Sequence, residues 1–289
     1  MPEYLVQSTT TAQTKRGKDY LRMTLYDTTG KLWKAVYWDL MTLKAANVID
    51  ALTELDSFGG EEQLTVKAMR VIAEKPTDDR FLPRSVVDTS TCLTELHGFV
   101  ETVGNKSIAS LLSKVLEDKR WLRGPAAMTM HHAHLGGLIE HTLSLCKLVN
   151  AVCQVYPKLR RDLLLFAAIM HDVGKLDELN YVDNISYSDE GQLLGHILIS
   201  LRKLDDNAEA CGINGQLLMM LSHIIISHHG NVSYGSPKSP QIIEAVVFSA
   251  LDGLDANMGS IAQALNKCGD KPWTDKTSTG QAMYLGKID

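Results

Sequence analysis

The chain has 289 residues, 45% hydrophobic and 22% charged, with a formal net charge of −5. That is ordinary globular composition, too long for one small core, and at about 100–200 residues per domain it suggests two units. A polyanionic partner must therefore be met by a local basic or metal-bearing site, because the overall field is of the wrong sign. The five cysteines, at 92, 146, 153, 211 and 268, are odd in number and form no CxxC pair. They argue against a disulfide scaffold and a zinc ribbon and fit reduced thiols. No apolar run reaches the ~20 residues that span a bilayer. The opening MPEYLVQSTT lacks the basic-then-apolar layout of a signal peptide, so a cytoplasmic location is expected.

In chain order, residues 1–80 read as β-rich. YLRMTLYD (20–27) alternates, with Leu21, Met23 and Leu25 on one face and Tyr20, Arg22, Thr24 and Tyr26 on the other. A Thr28-Thr29-Gly30 turn leads to LWKAVYWD (32–39), completing a hairpin. QLTVKAMRVI (63–72) is a later strand after Gly59-Gly60. MTLKAANVI (41–49) reads as a short helix or a loop. Short strands with little helix predict a small barrel. Residues 81–91 are assigned as a linker, inside a stretch (73–91) with two prolines and mixed charge.

From residue 92 to 289 the period becomes helical, with apolar residues at i, i+3, i+4 spacing over 94–103, 108–118, 137–156, 161–172, 192–210, 216–229 and 242–258. Asp162 and Gly230 are plausible end signals. The tail after Lys271, rich in Thr, Gly and Lys, is expected to lie across the surface.

All ten histidines follow residue 96. His141, His171-Asp172, His196, His228-His229 and Asp252 each interrupt an otherwise apolar helical segment. One buried histidine is as often a satisfied core residue as a ligand. A whole set is different: each uncompensated polar group costs on the order of 1–3 kcal/mol in desolvation, so the set together would rival a domain's stability. A metal satisfies them directly. Imidazole and carboxylate suit Mn, Fe, Zn and similar ions, and the absence of cysteine disfavours a thiolate-rich structural zinc site.

The order His141, His171-Asp172, Asp252 on separate helices resembles the HD phosphohydrolase superfamily, and the additional His196 and His228/His229 resemble its members that hold two metals. PAAMTMHHAHLGGLIEHT (125–142), LLGHILIS (193–200), SHIIISHHGNVSYGSP (222–237) and EAVVFSALDGLDANM (244–258) are similar to YhaM-type 3′→5′ exoribonucleases. GKDYLRMTLYDTTGKLWKAVYWD (17–39) and FGGEEQL (58–64) resemble the OB-fold that precedes their HD domain. The resemblance covers nearly the whole chain. It implies a mainly α protein with a small β domain: an OB-fold-like barrel over 1–80, then an all-helical HD domain over 92–289.

It also implies a metal-dependent phosphodiesterase acting from the 3′ end of single-stranded RNA, with single-stranded DNA as a second polymer and homo-oligomers as an option. His141, His171, Asp172, His196, His228, His229 and Asp252 would hold two divalent ions, Mn²⁺ foremost with Mg²⁺, Fe²⁺ or Co²⁺ as alternatives. Asp172, which has two oxygens, would bridge them, and His171, Asp172 and Lys175 would form the catalytic group. Lys175, a helical turn beyond, would meet a phosphate; its alternative is a surface ion pair. His131 and His132 would touch substrate, or with His134 support the loop-to-helix junction. Tyr20, Arg22, Tyr26 and Lys34 would grip the strand by stacking and charge, while Trp33 and Tyr37 are equally well core. His223, about 140° round the helix from His228, is a packed residue and His97 a surface one; Asp255 either orients a ligand or caps. Two other functions stay open: an HD hydrolase of a small or cyclic nucleotide, and a nucleic-acid-binding protein that keeps metal only for structure.

Overall fold

In the computed structural model, residues 1–128, 133–182, 184–269 and 271–286 are described. They form two compact units, Met1–Arg84 with Asn180–Ser186, and Ser85–Leu179 with Tyr187–Asp289.

The first unit is a closed five-strand barrel, in the order β1-β2-β3-β5-β4. Its strands are β1 (Glu3–Gln13), β2 (Asp19–Asp27), β3 (Leu32–Tyr37), β4 (Val48–Phe58) and β5 (Glu61–Ala73). All neighbours are antiparallel except β3 and β5, which run parallel. β1 closes the cylinder by pairing with β2 along its length and with β4 through Glu3–Leu5. This order and closure are those of an OB-like barrel, the fold expected. Alternation sends Leu21, Met23 and Leu25 inward to meet Val6, Ile49, Ala51, Leu64 and Val66. The β2–β3 turn is fastened by Asp27, whose carboxylate accepts from the Thr29 and Lys31 amides and from Trp33 Nε1 at 2.8 Å. Trp33 and Tyr37 pack against the barrel core, the core-like reading of those two aromatics.

Two strands had no sequence expectation. β1 is half polar, with Thr10 and Thr11 exposed, and β4 (VIDALTELDSF) carries helix-forming Ala, Leu and Glu. Pairing overrides such propensity. Residues 40–47 contain no helix, and the strand begins at Val48.

The second unit contains α1 (Thr89–Glu101), α2 (Lys106–Leu116), α3 (Gly137–Val155), α4 (Arg161–Met170), α5 (Lys175–Glu178), α6 (Asp189–Ala208), α7 (Gly215–Ser227) and α8 (Ile243–Cys268). A short hairpin of β6 (Leu179–Tyr181) and β7 (Ile185–Tyr187) lies between α5 and α6 in sequence. α4 is buried on every side, from Leu163 through Met170. That explains its unbroken apolar run: as the central helix it has no solvent face. Its N-terminus is held by Glu244, at the start of α8, which accepts from the Arg160 amide and from Nε at 3.0 Å and from Nη2 at 2.6 Å. α8 runs ten residues further than the periodicity over 242–258 suggested, to Cys268. The five cysteines are unbridged, and no described helix is long and apolar enough to cross a membrane.

Candidate metal centre

Three helices and two helix ends converge on one point. α3 contributes His141 from its second turn. α4 ends at His171, and Asp172 follows in the tight turn before α5. α6 contributes His196, directly after a break at Gly195 (φ 72°, ψ 159°), a left-handed conformation that glycine adopts without a Cβ penalty. α7 ends at His228 and His229, and α8 contributes Asp252 from its middle. The close approach of α6 to the His171-Asp172 turn depends on Gly174. Its φ is an ordinary −62°; what it lacks is bulk, since a Cβ there would lie 2.3 Å from the His196 carbonyl oxygen. The Gly174 amide donates to Ser200 Oγ at 2.8 Å, and Ser200 Oγ donates to the His171 carbonyl at 3.0 Å.

Asp172 sits at the middle, 4% exposed. Its Oδ2 faces His171 Nε2 at 3.3 Å and His141 Nε2 at 3.9 Å. Asp252 Oδ1 adjoins the same two nitrogens at 3.2 Å (His141) and 3.9 Å (His171). The other oxygen, Oδ1, faces His196 Nε2 at 3.4 Å and His228 Nε2 at 3.7 Å. His229 Nε2 is 3.3 Å from His196 Nε2. Two groups of donor atoms result, His141-His171-Asp172 and His196-His228-His229, each with its members within 4.8 Å of one another. One carboxylate turns an oxygen toward each.

Each imidazole is oriented by its outward nitrogen. Nδ1 of His171 lies 3.0 Å from the Ala167 carbonyl, that of His228 2.7 Å from Ile225, and that of His229 3.1 Å from Tyr234. A carbonyl only accepts, so Nδ1 of each ring carries a proton and Nε2 is the nitrogen left facing the centre. Nδ1 of His141 is held by Asp255 at 2.7 Å, and Asp255 also accepts from Ser144 Oγ. Nδ1 of His196 meets Glu178 Oε1 at 3.1 Å, and the same oxygen accepts the His196 amide at 2.9 Å. This is the outer support that fixes ring tautomer around a metal.

Charge in the centre is unbalanced in a way a cation corrects. Burial alone would raise the Asp172 carboxyl, but the Lys175 ammonium and the surrounding imidazoles hold it well below the usual carboxylate range. Burial would lower His141, yet Asp252 and Asp255 push it up to about 9. A proton there does the work of a cation between carboxylates. Burial and the neighbouring His171 drive His228 well below its ordinary value, so it is neutral. Asp172 Oδ1 and His228 Nε2 are both buried without a hydrogen-bond partner, a costly state for such atoms. Orphaned acceptors that face each other fit a divalent ion, and so does the imidazole–carboxylate donor set. A pocket of about 220 Å³ opens onto His141, Asp172, Lys175, His228, His229 and Asp252.

Lys175 lies inside this pocket with Nζ 2.6 Å from Asp172 Oδ2. Its ion pair is with the centre and not at the surface; burial would discharge it, but Asp172 keeps it charged. His131 and His132 lie outside the described residues. His134 is bound to Glu140 at 3.0 Å, a contact at the start of α3. His223 accepts the Gln241 amide at 2.8 Å and stays out of the cluster. His97 is half-buried on α1. Glu178, Ser144 and Ser200 were missed by sequence reasoning: nothing in KLDEL separates Glu178 from Asp177, which pairs instead with Arg120 and Lys203.

In the barrel, Tyr20, Arg22 and Lys34 line a cleft of about 560 Å³. Tyr26 does not: it packs against the cluster of Leu5, Val48 and Phe81. The outward face of β2 spans the whole barrel height, so four residues sharing a face need not share a site.

The HD domain family matches residues 138–257, the stretch from α3 into α8 that carries all the clustered donors, and an HD domain implies dependence on a divalent metal. The chain is similar to the 3′-5′ exoribonuclease YhaM of Geobacillus sp. (strain WCH70), 32% identical over 282 residues that cover 94% of this chain and 86% of the relative. The Bacillus subtilis (strain 168) protein of the same name is 31% identical over 280 residues, covering 94% of this chain and 89% of the relative. No solved structure matches the chain. The match runs through both the barrel and the helical unit, and the chain belongs to the YhaM family of 3′-5′ exoribonucleases.

Proposed function

We propose that this protein removes nucleotides from the 3′ end of single-stranded RNA, by attack of water on the terminal phosphodiester at a two-cation centre, with single-stranded DNA as a second polymer. The observation that carries the reading is Asp172, buried, with one oxygen turned to each of two histidine groups. His141, His171, Asp252 and Asp172 would hold one ion; His196, His228 and His229, with Asp172 shared, would hold the other. Mn²⁺ suits the mixed imidazole and carboxylate donors. When bound, a pair of divalent ions supplies an activated water at neutral pH and neutralises the charge of an in-line displacement at phosphorus.

The side chains of the chain itself do the rest. Glu178 and Asp255 hold the His196 and His141 rings with Nε2 inward. Lys175, kept charged by Asp172, meets a phosphate oxygen as a point charge. The apolar shell of α4 excludes water from behind the turn. The barrel supplies the grip on the polymer, through Arg22 and Lys34 in its cleft, and the relatives' name supplies the direction of degradation.

The test is end-labelled RNA incubated with Mn²⁺ beside a panel of nucleotides. A ladder shortening from the 3′ end, absent in Asp172→Ala, is the expected result. Nucleotide turnover with intact RNA would replace this reading with that of a small-nucleotide hydrolase, and retained metal with no hydrolysis would leave only binding.

A further inference from the structure

The barrel cleft has a chemistry of its own. Across one row of the sheet, Thr24 of β2 lies opposite Lys34 of β3, and one step along, Arg22 lies opposite Val36. Tyr20 is 7% exposed, and its ring lies 5.0 Å from that of Trp38, centroid to centroid. Tyr20 is thus a buttress: its hydroxyl accepts from Arg22 Nε at 2.9 Å and its ring supports the indole. The exposed aromatics are Trp38, at 47%, and Phe58, at 74%, at the end of β4. Large apolar rings left open to water on a cleft wall are platforms for a flat ligand. The two basic residues lie on β2 and β3, whereas Asp56 lines the cleft from β4. Asp56 accepts from the Ser57 amide at 2.8 Å and from Thr65 Oγ1 at 3.2 Å, and a carboxylate has about four acceptor positions, so it has capacity left. The cleft's Glu62 is paired with Lys31 at 3.6 Å.

A cleft with cations on one wall and an acceptor-only group on the other sorts a strand by polarity. Phosphates are drawn to Arg22 and Lys34 and repelled by Asp56, which puts base edges on the Asp56 side. There a base needs a donor clear of acceptors: adenine, cytosine and guanine carry an exocyclic amino group, whereas uracil's one edge donor, N3–H, lies between two carbonyls whose oxygens a carboxylate repels. We propose that the cleft stacks bases of single-stranded RNA on Trp38 and Phe58 and, through Asp56, selects against uracil. The inference rests on the exonuclease reading only for the identity of the polymer.

The test is fluorescence anisotropy of labelled oligo(A) and oligo(U) of equal length on the full chain carrying Asp172→Asn, so that the strand stays intact. Oligo(A) is expected to bind about tenfold tighter than oligo(U), a difference of ~1.4 kcal/mol. Trp38→Ala and Phe58→Ala are each expected to weaken oligo(A) about tenfold, the low end of measured base–aromatic stacking. Both side chains are exposed, so folding is not at stake, and Trp38→Phe should restore most of the binding. Asp56→Ala should bring the two polymers within about threefold by weakening oligo(A) alone, as for the net loss of about one hydrogen bond. Unchanged oligo(A) binding in both aromatic variants overturns the platform; an A/U ratio that Asp56→Ala leaves alone overturns the selection. Hydrolysis plays no part in this readout. A chain that shortens RNA while Trp38→Ala binds normally sinks only the cleft; a chain that binds as described yet hydrolyses nothing sinks only the exonuclease.

Discussion

Adding one methyl group at Gly174 would put a Cβ 2.3 Å from the His196 carbonyl oxygen, 2.8 Å from the Ser200 amide nitrogen and 2.9 Å from Ser200 Oγ. Close carbon–oxygen contacts need about 3.3–3.6 Å, so α6 would have to withdraw from the His171-Asp172 turn by about 1 Å. Backbone has no rotamer to yield. Overpacking of this kind costs about 1–3 kcal/mol. The withdrawal also stretches the Gly174–Ser200 and Ser200–His171 hydrogen bonds, each worth about 1 kcal/mol. Gly174→Ala is thus expected to lose about 2–4 kcal/mol, or roughly 4–16 °C in Tm at about 2–4 °C per kcal/mol. Because α6 carries His196, Mn²⁺ affinity should fall with it, by the 10–100-fold typical of a disturbed outer support. Gly98→Ala is the matched control. It is exposed in mid-α1, a Cβ there meets nothing within 4 Å, and it should stabilise by about 0.5–1 kcal/mol. Thermal unfolding by circular dichroism and calorimetric metal titration read both quantities. A Gly174→Ala protein that melts and binds metal like the parent would refute the close contact and the role given to it.

Glu178→Gln leaves His196 with a neutral partner in place of a carboxylate, and should weaken Mn²⁺ binding about 10–100-fold with little change in Tm; titration by calorimetry checks it, and unaltered affinity would remove Glu178 from the centre. The Glu244 carboxyl is lowered from its ordinary 4.5: burial opposes the shift and Arg160 outweighs it. Its contribution is therefore complete above about pH 4.5 and is lost as pH falls through the lower folded value. Glu244→Gln should cost about 1–3 kcal/mol at neutral pH and flatten the acid limb of the denaturation profile; an unchanged limb would contradict the clamp between α4 and α8. Chelation should lower Tm reversibly, since ligand at about 100 times its Kd stabilises by about 2.7 kcal/mol; an identical melt with and without chelator would mean that the fold does not bind metal.

The centre was legible because its donors are expensive. His141, His171-Asp172, His196, His228-His229 and Asp252 are polar residues on apolar helix faces, and burial makes them conspicuous; the structure brings all seven together. Their supports were legible only in part. Asp255, three residues after Asp252, shares its helix face, and orienting a ligand was one of its two readings; Glu178 sits beside Asp177, and only the fold decides which of those two carboxylates turns inward. The ridge-to-turn fit at Gly174 is likewise a long-range fact, since α6 arrives from beyond residue 188. In the barrel, periodicity marked β2 and β3, where inward apolar and outward polar residues alternate. It missed β1 and β4, whose outer residues are threonines and helix formers. Alternation also gave the face of Tyr26 but not its height on the barrel, and Trp38 and Phe58 lie where turns, not patterns, put them.

The central claim is that Asp172 serves two cation sites at once. Equilibrium dialysis against Mn²⁺, with metal counted per chain by elemental analysis, tests it most directly. The parent should bind two ions, His196→Ala one, and Asp172→Ala, which removes an oxygen from each site, should lose high affinity at both. An Asp172→Ala chain that keeps both ions, or a parent that binds only one, would contradict the bridge.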